Sequence, residues 1–151
     1  LYQDPKAATV IPDDFEVPFG KARVRKEGDA LTIITYGNTT HLCLDAANKL
    51  QEEGINAEVI DLRSLVPLDE ETIINSVKKT NKVLLVHEDK VHGGFGGELS
   101  AIINEKAFEY LDLAYNEKIG GLIFIRGRYW KELQDDPRFK KLILRMNLPY
   151  D

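Results

Sequence analysis

The feature that most constrains the fold is a strand-like segment followed by a helix-like segment, repeated three times between residues 30 and 112. Short apolar runs at 30–36, 57–62 and 82–87 are typical of buried strands. Each run precedes a segment whose apolar residues recur at helical spacing. Such repeats connect parallel strands through right-handed crossovers. The sequence therefore predicts an α/β fold of three layers, with a mostly parallel sheet covered by helices on both faces.

The ends of the predicted helices carry residues that satisfy or complement free backbone groups. Thr39 or Thr40 is expected to cap the first helix through its side-chain oxygen, and Gly54 is expected to end it. The buried face of this helix is predicted from apolar residues at helical spacing: Cys43, Ala46, Ala47 and Leu50. The second helix follows Asp69, with glutamates in its first turn and lysines in its last. The helix dipole favours that order of charges.

The two ends of the chain differ from its centre. Residues 1–29 hold three of the six prolines and little periodicity, which predicts an extended lead-in. Residues 1–112 carry 12 basic and 20 acidic residues, a net charge of −8, whereas 113–151 carry 8 and 5, a net of +3. This change places a segment boundary near Leu113. In the tail, Asp136 and Pro137 predict a final helix over about 137–146, whereas 122–125 fits either a strand or part of a helix.

Composition excludes several classes of function. The formal net charge of −5 and a pI near 5.3 argue against nucleic acid as the main partner, because phosphate binding needs a basic face. No apolar run approaches the roughly 20 residues that span a bilayer. The single cysteine, Cys43, excludes an intrachain disulfide and a cysteine-based zinc cluster. It is predicted to be a small buried apolar residue.

A glycine cluster at 93–97 follows the third predicted strand and opens the third predicted helix. It matches neither of the phosphate-binding glycine motifs, and it begins about six residues beyond the strand. We therefore interpret Gly93, Gly94 and Gly96 as a tight loop that lets a helix pack closely. Phe95, between them, is predicted to pack at or near a subunit contact.

Charged and polar residues follow the second and third predicted strands, where ligand and interface sites concentrate in open α/β sheets. His87 and Glu88 could form a proton-transfer pair. Neighbours on a strand point to opposite faces, however, so an interface or structural role is favoured. Asp61 and Arg63 fit either an ion-pair network or a solvated pair of little energetic consequence. No catalytic, cofactor-binding or metal-ligating set is identified, since the remaining histidines lack ligand spacing.

Several short motifs occur in a specific order along the chain. They are Val-Pro-Phe-Gly-Lys at 17–21, Tyr-Gly at 36–37, Glu-Val-Ile-Asp-Leu-Arg at 58–63, Pro-Leu-Asp at 67–69, His-Glu at 87–88 and Gly-Gly-Phe-Gly-Gly-Glu at 93–98. Together they resemble the transketolase-like C-terminal domain of the β subunits of thiamine-diphosphate-dependent pyruvate and branched-chain 2-oxoacid dehydrogenases. The resemblance covers about residues 1–112. It places Glu98 with the interface or structural candidates.

The resemblance implies a function for the intact enzyme. That function is oxidative decarboxylation of a 2-oxoacid, with acyl transfer to a lipoyl group, using thiamine diphosphate and Mg. In this family the cofactor contacts and the catalytic histidine lie outside this domain, which builds subunit interfaces. The chain alone is therefore expected to bind no cofactor and to be inactive. The implied partners are the α subunit, a second β subunit and the lipoyl acyltransferase core, and the implied location is the bacterial cytoplasm.

The tail departs from the family pattern. Residues 114–127 lack the expected proline-rich stretch, and the tail is more similar to the end of certain bacterial tetratricopeptide-containing proteins. The departure affects the family's C-terminal contacts, including docking to the acyltransferase. The chain also begins with Leu, which predicts either that something was removed from its start or that it is a piece of a longer protein. Two alternatives stay open: a stand-alone α/β binding module with a basic tail, or a truncated or fused remnant of such a subunit.

Overall fold

The structure is a computed structural model that describes residues 13–90, 92–116 and 136–145. The chain divides into two compact units, Leu1–Leu99 and Ser100–Asp151, which are described separately. The strands are β1 (Arg23–Lys26), β2 (Leu31–Thr35), β3 (Ala57–Asp61) and β4 (Val83–Val86). The helices are α1 (Thr39–Glu52), α2 (Glu70–Thr80), α3 (Phe95–Asn116) and α4 (Pro137–Arg145).

The four strands form one sheet in the order β1-β3-β2-β4. β2 is parallel to both of its neighbours, with Ile33 opposite Val59 on one side and Leu84 on the other. The predicted mostly parallel sheet is therefore confirmed. β1 is antiparallel to β3 and lies inside residues 1–29, which the sequence predicted to be an extended lead-in. Sequence analysis did not identify β1, because an edge strand of mainly charged residues carries no apolar run.

The sheet is covered on both faces, which confirms the three-layer fold of the first unit. On one face, Ile33 and Val59 pack with Cys43 and Ala47 of α1. Strand residues alternate between faces, so the neighbouring positions face the other side. There, the Thr32 hydroxyl lies 2.6 Å from the Ser76 hydroxyl of α2.

The start of α1 differs from the prediction. Asn38 occupies the N-cap position without a side-chain cap, and Thr39 and Thr40 are already helical. The Thr39 hydroxyl donates instead to the Tyr36 carbonyl at 2.7 Å. The predicted buried face is correct except for Ala46, which is exposed because it lies at the edge of that face. Gly54, at φ +82°, follows the last residues of α1 as predicted.

The charges along α2 confirm the predicted polarity. Asp69 is the N-cap, and its Oδ1 accepts a hydrogen bond from the Thr72 amide at 3.2 Å. Glu70 and Glu71 lie in the first turn and Lys78 and Lys79 in the last.

In the second unit, α3 runs through Leu113 without a break, so the segment boundary predicted there lies inside a helix. The predicted final helix is present as α4, and Asp136 Oδ1 accepts a hydrogen bond from the Arg138 amide at 2.8 Å. The Arg138 guanidinium lies 4.2 Å from the centroid of the Phe108 ring. The ambiguous segment 122–125 and residue 146, the last of the predicted final helix, fall outside the described residues. Among the described helices, none has the length and apolar character that a membrane span requires.

Candidate interface site at the carboxyl edge of the sheet

The ends of β2 and β4 bring two aromatic rings together. Thr35 and Val86 are partners in the parallel ladder, so the residues that follow them are neighbours. The rings of Tyr36 and His87 stack at a centroid distance of 6.0 Å with an interplanar angle of 7°. His87 therefore packs against an aromatic ring. Glu88 is exposed and forms no hydrogen bond with His87.

Asp89 connects this pair to the start of α3. Its Oδ2 accepts a hydrogen bond from the Tyr36 hydroxyl at 2.6 Å, and its amide donates to His87 Nδ1 at 3.2 Å. Burial, together with the hydrogen bond and negative charge of Asp89, raises the pKa of Tyr36 to about 12. The Tyr36 hydrogen bond lowers the pKa of Asp89, aided by the Phe95 amide and opposed by partial desolvation. The Tyr36 hydroxyl, the Asp89 carboxylate and His87 Nδ1 are thus hydrogen-bonded within this cluster.

The glycine cluster packs directly against His87. α3 begins at Phe95, inside the cluster. A Cβ atom on Gly96 would lie 2.0 Å from His87 Nε2, and one on Gly94 would lie 2.5 Å from the Lys90 carbonyl oxygen. Both positions therefore need the absence of a side chain, which supports the tight-loop interpretation. Phe95 is half-buried and Glu98 is exposed. Their role at a subunit contact stays a prediction.

The side chains of Asp61 and Arg63 have different partners. Asp61 Oδ2 lies 3.7 Å from Arg25 Nη1 of β1, not beside the Arg63 guanidinium. Arg63 has a positive φ of 55°, which turns the chain after β3. Its guanidinium donates to the Lys21 carbonyl at 2.7 Å and to the Ala22 carbonyl at 3.2 Å. The two residues form no side-chain ion pair, but the Arg63 amide donates a hydrogen bond to Asp61 Oδ1 at 3.2 Å.

Asp69 is a second anchor for the lead-in. It is buried, and its Oδ2 accepts hydrogen bonds from the Ala22 amide at 3.0 Å and the Thr72 hydroxyl at 2.9 Å. Burial acts to raise the pKa of Asp69, but these hydrogen bonds and nearby Lys21 outweigh it, so the pKa is lowered. Sequence reasoning identified the helix cap but not this anchor, because the partners are 47 residues apart.

Sequence analysis did not identify the buried ionic cluster between β3 and α2. Glu58 is 1% exposed, and its carboxylate accepts hydrogen bonds from the Ser76 hydroxyl and the Lys79 ammonium. Burial acts to raise the pKa of Glu58, but these two donors lower it below its ordinary value. A pocket of about 290 Å³ lies over the cluster, lined by Val24, Glu27, Glu58, Thr72, Asn75, Ser76 and Lys79. The signal in the sequence was Glu58 inside an apolar strand, because a buried carboxylate requires a partner.

The described residues do not fit the cofactor that the resemblance implies for the intact enzyme. Within residues 13–90, 92–116 and 136–145, no group of three or more His, Cys, Asp or Glu side chains could hold a metal ion. The glycine cluster packs at Gly96 against His87 and at Gly94 against the Lys90 carbonyl, and it matches neither phosphate-binding glycine motif. No cofactor chemistry is therefore assigned to these residues.

The fold is that of a transketolase-type domain. The family model "Transketolase, C-terminal domain" matches residues 20–123, and the chain belongs to this family. This finding confirms the resemblance seen in the ordered motifs. A solved structure described as "Split gene transketolase, inactive beta4 tetramer" is 36% identical, with a TM-score of 0.59 over 65% of this chain and 33% of that one.

The similar curated proteins are β subunits of two related dehydrogenases. The chain is 52% identical over 96 residues to the pyruvate dehydrogenase E1 component subunit β of Rickettsia bellii. It is 50% identical over 103 residues to the 2-oxoisovalerate dehydrogenase subunit β of Bacillus subtilis. These matches cover 64% and 68% of the chain. They span 30% and 32% of the relatives, so the chain corresponds to about a third of their length.

Proposed function

We propose that this chain acts as the C-terminal, interface-forming domain of the β subunit of a 2-oxoacid dehydrogenase. The observation that carries the proposal is the identity of about half of the residues to two such β subunits over the transketolase-type domain. The intact enzyme would oxidatively decarboxylate a 2-oxoacid and transfer the acyl group to a lipoyl carrier. Thiamine diphosphate and Mg would bind outside the described residues.

The carboxyl edge of the sheet supports an interface role over a catalytic one. The Tyr36 hydroxyl donates a hydrogen bond to Asp89, and His87 lies between the Tyr36 ring and Gly96. A general base must reach a proton on its substrate, but His87 Nδ1 already accepts a bond from the Asp89 amide. These groups order the start of α3 and the loop before it, which gives a partner subunit a fixed surface.

The proposed partners are the α subunit, a second β subunit and the lipoyl acyltransferase core. The proposed location is the bacterial cytoplasm, without membrane attachment. A stand-alone binding module is the second candidate, favoured only by the basic composition of residues 113–151. The two candidates differ in whether the domain supports assembly of a dehydrogenase.

Domain replacement tests the proposed function. The whole chain would replace the matching C-terminal part of the B. subtilis 2-oxoisovalerate dehydrogenase β subunit, co-expressed with its α subunit. We expect the chimera to retain the α subunit during purification and to oxidise branched-chain 2-oxoacids with an artificial electron acceptor. The controls are the native β subunit and a β subunit without the domain. A soluble chimera that retains no more α subunit than the truncated control would refute the proposal.

Calorimetry on the isolated chain tests the cofactor assignment. Titration with thiamine diphosphate and Mg should give no binding heat, whereas the active chimera should bind both. Micromolar binding by the isolated chain would show that cofactor contacts lie within it.

A further inference from the structure

We propose that the pocket between α2 and strands β1 and β3 binds a small organic cation, namely a primary amine or guanidine with a short aliphatic stem. We call this cavity of about 290 Å³, which lies over Glu58, the α2 pocket. The inference goes beyond the proposed function, because no step of the proposed reaction uses this pocket. It can be tested on this chain without any other subunit.

The α2 pocket follows from the order of the strands. α2 packs over β2, and β3 separates β2 from the edge strand β1. Val24 of β1 pairs with Ile60, two residues beyond Glu58 on the same face of the sheet, so Val24 and Glu58 both lie on the α2 side. Space therefore remains beside α2. Pockets that hold small molecules measure about 300–1,000 Å³, so this one suits a small ligand.

The lining of the α2 pocket carries more negative than positive charge. It holds two carboxylates, Glu27 and Glu58, and one ammonium group, Lys79, which gives a net charge of −1. The Lys79 ammonium bonds the buried Glu58 and lies 3.3 Å from Glu27 Oε2. The Glu27 side chain is 79% exposed and shares this single cation. The excess negative charge favours a cationic ligand over an anionic one.

Asn75 and Val24 favour an organic cation over a bare metal ion. The Asn75 side chain is exposed and forms no hydrogen bond with another described residue. An ammonium or guanidinium group has several N–H donors, so it can donate to the Glu27 carboxylate and to the Asn75 amide oxygen together. Val24, which is half-buried, offers apolar surface to an aliphatic stem. Among the described residues, no group of three His, Cys, Asp or Glu side chains could hold a metal ion instead.

NMR titration of the full chain with three ligands of equal stem length tests the charge preference. The ligands are n-butylammonium, n-butanol and n-butyrate. We expect n-butylammonium to shift the Val24 methyl and Asn75 side-chain amide resonances to saturation, with a Kd at least about tenfold lower than that of the other two. The proposal is overturned if n-butanol or n-butyrate binds as tightly. It is also overturned if n-butylammonium gives no saturable shift up to about 100 mM.

Two substitutions should change the affinity for n-butylammonium in opposite directions. Glu27→Gln should weaken binding at least about tenfold, whereas Glu53→Gln, at an exposed position beyond α1, should leave it unchanged. Lys79→Met should tighten binding, because the ligand then replaces the cation that Glu58 has lost. Weaker binding by a folded Lys79→Met variant, or native affinity in Glu27→Gln, would each contradict the proposal. Circular dichroism checks the folding, and Glu27→Gln decides alone if Lys79→Met does not fold.

A last titration distinguishes a free amine from the lysine side chain of a partner protein, which carries the same ammonium group and stem. The probe is Nα-acetyl-lysine methylamide, in which the stem is attached to a peptide backbone. We expect it to bind the full chain no more tightly than n-butylammonium, because the α2 pocket is small and its lining supplies all the proposed contacts. Binding of the peptide probe at least about tenfold more tightly would assign the pocket to a partner protein and overturn the proposal of a free small molecule.

Discussion

Replacing Lys79 by Met should leave a buried carboxylate without its cation. Glu58 is 1% exposed and its two hydrogen-bond donors are the Lys79 ammonium and the Ser76 hydroxyl. Met keeps much of the volume and the helix propensity of Lys. The substitution therefore removes the charge pair while leaving α2 intact.

The expected cost follows from the burial of the two partners. Removing one partner of a fully buried ion pair costs about 3–5 kcal/mol. The Lys79 side chain is 43% exposed and Ser76 still donates to Glu58, so solvent screening and the remaining bond reduce the cost to about 2 kcal/mol. For a chain of this size, that loss lowers Tm by roughly 4–8 °C.

The loss should depend on pH in a defined direction. In the native chain the pKa of Glu58 is lowered from 4.5, so the pair stabilises the fold fully above that value and loses its effect as pH falls further. Without Lys79, burial would dominate and raise the pKa of Glu58. Protonation of Glu58 then removes the unpaired buried charge from the variant as pH falls from neutral. The stability difference between the two proteins should therefore be largest near neutral pH and shrink in acid.

Urea denaturation followed by circular dichroism between neutral and acidic pH measures this difference. Lys49→Met is the matched control, because Lys49 also lies in the last turn of its helix and contributes the same dipole interaction. Adding Glu58→Gln to Lys79→Met should recover much of the lost stability, since the neutral amide needs no counter-charge. The reasoning fails if Lys79→Met is as stable as Lys49→Met at neutral pH, or if Glu58→Gln worsens the double variant.

Two further predictions concern the carboxyl edge. Gly96→Ala should destabilise the chain by about 1–3 kcal/mol, because its Cβ would lie 2.0 Å from His87 Nε2. Gly97→Ala, with open space around it, should stabilise α3 by up to about 1 kcal/mol, and equal effects in thermal unfolding would contradict the contact. Tyr36→Phe should raise the pKa of the Asp89 carboxyl, because the main group that lowers it is lost. Carbon-13 NMR titration would show this with Asp69 as an unchanged reference, and an unmoved Asp89 would disprove the role of the Tyr36 hydrogen bond.

The sequence by itself determined the elements that depend on local patterns. The apolar runs predicted β2, β3 and β4 to within a residue or two, and the capping and charge pattern predicted the limits of α2. These signals are readable because a buried strand or amphipathic helix must repeat apolar residues at its own period. The order of short motifs then identified the family, which the family model confirmed over residues 20–123.

The tertiary structure decided which distant residues meet. Nothing in a local pattern shows that Asp69 holds the Ala22 amide or that Lys79 reaches Glu58, because each pair comes together only when β1, β3 and α2 pack. The same holds for Asp61, which meets Arg25 of β1, and for the Arg63 guanidinium, which donates to the Lys21 carbonyl. Hydrogen-bond and charge partners depend on which residues are close in space, whereas the apolar periodicity of a segment predicts only the structure of that segment.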